Sequence, residues 1–111
     1  MVFVEFPSFS RERDSSLSEI DLLLLQLFLL DNPNSGTVIR GSGGIRKLRW
    51  SSVRSAKGKR GSLRILYYLF DKRECWLITM YTKSDVEALT RSELEMIRQM
   101  IERERTQRVG R

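Results

Sequence analysis

The chain has 111 residues, enough for one domain with a modest core, and its 41% hydrophobic and 31% charged residues are those of a globular rather than a disordered protein. A single cysteine, Cys75, excludes an internal disulfide, and the absence of histidine removes the commonest metal ligand and general base. The net charge of +6 is unevenly spread: residues 1–36 carry −4, residues 37–64 carry nine cations and no acid, and the remainder carries +1. A cationic block without a carboxylate concentrates field, and its natural partner is a polyanion.

In chain order, Val2–Phe6 reads as a strand ended by Pro7. Ser16-x-x-Glu19 reads as a capping box opening a helix over Leu17–Leu30, stopped by Asn32-Pro33-Asn34-Ser35-Gly36. Val38–Arg40 is a short strand, Gly41-Ser42-Gly43-Gly44 a turn, and Ile45–Trp50 a further strand. Ser51–Gly61 is a basic loop. Ser62–Phe70 and Cys75–Tyr81 are β-branched and aromatic strands joined by a tight turn at Asp71–Glu74. Thr90-x-x-Glu93 caps a last helix reaching about Arg105, with Leu94, Ile97 and Ile101 on its buried stripe. This order predicts a single α+β domain over residues 1–111, a small antiparallel sheet with helices packed on one face.

Met1–Phe9 lacks the features of a secretory signal, and Leu22–Leu30 is far short of the roughly 20 residues of a membrane span. The expectation is a soluble cytoplasmic protein. Cys75 lies in an apolar run and reads as a buried structural thiol. Neither glycine-rich segment matches a nucleotide-binding fingerprint, so Gly41–Gly44 is expected to be a backbone turn and Gly58–Gly61 a basic loop.

Period-2 alternation puts Lys47 and Arg49 on one strand face, with Arg46, Leu48 and Trp50 on the other. Arg64, Leu66 and Tyr68 share a face of the next strand, and Thr79, Tyr81 and Lys83 of the last. With helices on the opposite side, these would form one open surface for RNA, with Lys57, Lys59 and Arg60 at its rim. Guanidiniums grip phosphates, and Tyr68 and Tyr81 offer rings for stacking bases. In the first long helix, Ile20, Leu23, Leu24, Leu27 and Leu30 are expected to face the core. Leu22, Leu25 and Leu29, on the opposite side, are the expected partner-binding face.

Three ordered blocks resemble the RelE/HigB-type toxins of type II toxin–antitoxin systems, particularly the HigB-2-like branch: Gly36–Trp50, Gly58–Tyr68 and Leu77–Lys83. The resemblance spans nearly the whole chain, including Asn32-Pro33 and the Leu89-Thr90 helix start. It implies a RelE-like fold and a toxin that cleaves mRNA in the ribosomal A site and is held by a cognate antitoxin, a helix-turn-helix protein. By position, Lys47, Arg49 and Arg64 match the family's basic substrate-facing residues, and Lys83 its basic residue after the last strand. The sequence departs from the family at Ser62, where a glycine is common. It departs again at Ser84–Leu89, which lacks the late tyrosine some relatives use in catalysis; Tyr81 or Tyr68 is then the candidate substitute.

RNA carries its own nucleophile in the 2′-OH, so no cofactor and no metal is expected. Arg64 is the expected clamp for transition-state charge, and Lys47, Lys83 and Tyr81 are the other candidate catalytic groups. Arg49, Lys57, Lys59, Arg60 and Tyr68 are the candidate RNA-binding groups. The alternative is a non-catalytic RNA-binding module, or an inactive toxin homologue, using the same surface. A DNA-binding protein is disfavoured because no helix carries clustered cations beside a turn suited to the major groove. Arg98, Arg103, Arg105, Arg108 and Arg111 are read as dispersed among acids or in a fraying tail.

Overall fold

The computed structural model describes residues 1–51, 63–82 and 89–109. Four strands follow the predicted order as an antiparallel meander: β2 (Thr37–Val38), β3 (Arg46–Trp50), β4 (Leu63–Phe70) and β5 (Glu74–Thr82). The first strand, β1 (Val2–Glu5), joins the far edge in parallel with β5, giving the order β1-β5-β4-β3-β2. The α+β class is as expected, and the sheet is mixed rather than purely antiparallel. Asp71 and Lys72 both take left-handed backbone between β4 and β5 (φ 54° and 61°), and the Arg73 amide donates to the Phe70 carbonyl. That geometry matches the right-handed twist of the hairpin.

Pro7 does not simply end the first strand. It occupies the first turn of a helix, α1 (Pro7–Ser16), where its missing N–H costs no hydrogen bond. Phe9 is the only residue of α1 that is buried, so the segment has no apolar period to announce it. The next helix, α2 (Glu19–Asp31), is capped by Ser18 and Asp21 rather than by Ser16 and Glu19. Ser18 Oγ accepts from the Asp21 amide at 3.0 Å, while the Asp21 carboxylate accepts from the Ser18 amide. The last helix, α3 (Arg91–Val109), begins at the predicted Thr90–Glu93 box.

The helices do not share one face. Phe9 of α1 and Leu25 and Leu29 of α2 pack with Leu48, Ile65, Tyr67, Cys75 and Leu77 on one side of the sheet. On the other side, α3 brings Leu94, Ile97 and Ile101 against Leu66, Tyr68, Trp76 and Ile78. A bulge between β4 and β5 lets Leu66 pair with Thr79 and Tyr67 with Leu77, so Ile78 is the extra residue. It joins the α3 side while Leu77 joins the other. Cys75 is fully buried, and desolvation pushes its thiol up to about 12, as befits a core residue and not a nucleophile.

The orientation of α2 reverses the expected one. Leu25 and Leu29 are fully buried and Leu22 is packed against the same cluster, so these three are core rather than a partner-binding face. Ile20, Leu23, Leu24, Leu27 and Leu30 instead stand in solvent, 44–65% exposed.

The arginines of α3 sit among acids as expected, Arg98 beside Glu95, Arg105 beside Glu102 and Arg108 beside Glu104, and Arg108 also ties the helix to the sheet. Arg108 pairs with Glu74 at 3.0 Å and lies over the Trp76 ring, whose indole N–H donates to the same carboxylate. Arg105 donates to the Tyr68 hydroxyl. No helix among the described residues is long and apolar enough to cross a membrane.

Candidate functional site

Strand register assembles part of the expected basic surface. Arg49 on β3 pairs with Arg64 on β4, and Arg64 with Tyr81 on β5. Directly paired residues point to the same face, so the three form one row across the sheet. Lys47 stands one step along β3 on the same face, paired with Leu66. Lys47 and Arg49 are exposed, while Arg64 and Tyr81 are half-buried. Among the described residues neither Lys47 nor Arg49 forms an ion pair.

This face is not the open sheet the sequence suggested, because α3 covers its centre. Tyr68 is 7% exposed, its ring lies beside Trp76 at 5.5 Å between centroids, and its hydroxyl is held by Arg105. It supports α3 and offers no face to a base. Of the row, Lys47 and Arg49 remain exposed, and Tyr81 stands beside the start of α3. Lys57, Lys59, Arg60 and Lys83 lie outside the described residues, as do the Gly58–Gly61 loop and the Ser62 and Ser84–Ala88 departures.

Tyr81 sits at a junction. It lines a groove of about 690 Å³ between α1, β5 and α3, with Thr79, Ile97, Met96 and Leu89. Burial raises its phenol above the ordinary value, the Arg64 charge opposes that rise, and Glu93 at the start of α3 reinforces it. A tyrosine so placed keeps its proton at neutral pH. It can donate a hydrogen bond to a phosphate oxygen or a leaving alkoxide, and it is poorly suited to remove a proton. Glu93 accepts from the Thr90 amide, and this bond is the first cause of its lowered carboxylate pKa.

Several residues of the three sequence blocks are structural. Tyr67 donates to the Pro33 carbonyl at 2.7 Å and accepts from the Gly36 amide at 2.9 Å. Arg46 donates to the carbonyls of Asn34 and Gly36. Together they pin the loop that leads from α2 to β2. Gly41, Gly43 and Gly44 all take positive φ, and the Ser42 hydroxyl accepts from the Gly44 and Ile45 amides, so Gly41–Gly44 is the backbone turn expected.

A Cβ at Gly36 would stand 2.7 Å from the Tyr67 ring and 2.9 Å from its hydroxyl. The ring is fully buried and cannot move aside without losing both hydrogen bonds. Gly36→Ala is therefore expected to lower unfolding free energy by about 1–3 kcal/mol through overpacking. Urea denaturation measures it, and an unchanged midpoint would show that the loop gives way freely.

No family model matches the chain.

Proposed function

We propose that this chain is an RNA-cleaving toxin of the RelE/HigB type, a cytoplasmic, ribosome-dependent mRNA endoribonuclease restrained by a cognate antitoxin. The observation that carries the reading is the cross-strand row Arg49–Arg64–Tyr81, with Lys47 beside it on the same face. It stands beside the three-block resemblance and the acid-free cationic stretch that contains Lys47, Arg49 and Arg64.

The chemistry such a row suits is transesterification by the 2′-OH. The 2′ oxygen attacks the adjacent phosphorus, the bond from phosphorus to the 5′ oxygen breaks, and one proton leaves the nucleophile while another reaches the leaving oxygen. Arg64 would clamp the developing phosphorane charge, since a guanidinium stays protonated throughout and presents a planar fork. Tyr81 would donate toward the same phosphate or the departing oxygen. Lys47 and Arg49 would hold flanking phosphates, and Lys47 or Lys83 would move the remaining proton. A site without histidine is a weak base, so alignment by the ribosome must supply much of the rate.

The test uses ribosomes programmed with a defined message. The wild-type chain is expected to cut that message in the A site, leaving a 2′,3′-cyclic phosphate. A 2′-O-methyl group at the scissile nucleotide is expected to abolish the cut. Cleavage of the methylated message would overturn the mechanism, and an intact unmodified message would favour a non-catalytic RNA-binding module.

A further inference from the structure

Helix α2 shows water a second apolar seam that the core does not use. Ile20, Leu23, Leu27 and Leu30 follow the alternating three- and four-residue spacing of coiled-coil a and d positions, and Leu24 widens the seam. The seam runs about 15 Å along the helix axis. It exposes on the order of 500 Å², comparable to the largest apolar patch of a typical monomer, which is often functional.

Charge decides what covers it. The charged residues of α2 are all acidic, Glu19 and Asp21 in the first turn and Asp31 at the last position, with no basic residue in the last turn. Glu19 and Asp31 are exposed, while Asp21 is buried in the cap. Asp31 adds negative charge where the helix dipole is already negative, an arrangement unfavourable in an isolated helix. A second copy would bring acid against acid in either orientation: Glu19 against Asp31 if antiparallel, like against like if parallel. An anionic membrane would be repelled by the same ends.

We propose that this seam docks an amphipathic helix of another protein whose apolar stripe is flanked by lysine or arginine at its ends. The flanking cations would neutralise Glu19 and Asp31 while the stripe covers the five exposed side chains. The docked helix would lie on the sheet side opposite Arg49, Arg64 and Tyr81, leaving that row open. The proposal does not depend on the function assigned to the row.

A helix-stabilised two-heptad peptide with leucine at a and d and lysines at both ends serves as the probe. Against the full chain it is expected to bind with a Kd on the order of 10–100 µM. A counterpart ending in glutamates should bind roughly two- to thirtyfold more weakly, the scale of two exposed ion pairs. The double variant Leu23→Gln/Leu27→Gln should keep its thermal midpoint and lose at least about tenfold in affinity for the lysine-ended peptide. The proposal is overturned by failure of that peptide to bind, by equal binding of both peptides, or by full affinity of the double variant. Unfolding of the double variant would also overturn it, because the seam would then be core. So would concentration-dependent self-association abolished by the same substitutions, or co-sedimentation with phosphatidylserine vesicles.

Discussion

Arg64→Ala is expected to reduce ribosome-dependent mRNA cleavage by roughly 10²–10³-fold, the loss seen when one preorganised donor to transition-state charge is removed. Arg64 stands at the centre of the row, paired with Arg49 on one side and Tyr81 on the other, and it is the only cation of the row on β4. Arg64 is half-buried on β4, which runs between β3 and β5. Arg64→Lys separates charge from geometry: an ammonium restores the charge but not the planar fork, and recovery should be partial. Lys47→Ala and Arg49→Ala, at exposed positions, should act mainly on affinity and its salt dependence. The decisive measurement is single-turnover cleavage at saturating enzyme, with circular dichroism confirming the fold. If Arg64→Ala cuts at the wild-type rate once saturated, Arg64 only binds RNA and the clamp is elsewhere.

The parts of this architecture legible in the sequence are those whose signal is local. The meander, the Asp71–Lys72 hairpin and the Thr90–Glu93 cap each depend on a few adjacent residues, and all are present. Alternation also placed Lys47 and Arg49 on one face and Leu48 and Trp50 on the other. What alternation cannot say is which elements lie above a face, and so it points Tyr68 toward RNA although α3 covers it. A clue was present in β4, where Leu63, Ile65, Leu66, Tyr67 and Tyr68 form a nearly unbroken apolar run. Such a run belongs to a strand buried on both sides. It therefore implied helices on both faces. The α1 helix was hidden for the opposite reason: it buries Phe9 alone, and its proline reads equally well as a strand end or a helix start.

The orientation of α2 gives the second large effect. Leu29→Ala should cost about 2–5 kcal/mol of unfolding free energy, whereas Leu24→Ala, five residues earlier on the same helix, should stay within about 0.5 kcal/mol. Both are leucines in a continuous helix, so propensity changes equally and cancels in the comparison. The difference is environment. Leu29 is fully buried among Phe9, Leu25 and the sheet side chains Leu48 and Ile65, while Leu24 is 46% exposed. Removing the Leu29 side chain leaves a cavity that rigid strand residues cannot fill, and removing the Leu24 side chain leaves water where water already was. Apolar residues encircle α2, so periodicity finds two stripes about 160° apart without saying which is inside. The wider stripe, with five members, was the natural choice for the core, yet the sheet accepts the narrower one because Leu25 and Leu29 fit beside Phe9 and the Ser18–Asp21 cap sits at its entrance. Parallel urea melts of the two variants settle the matter. A large loss for Leu24→Ala with a small one for Leu29→Ala would return the helix to the orientation expected from sequence and remove the exposed seam with it.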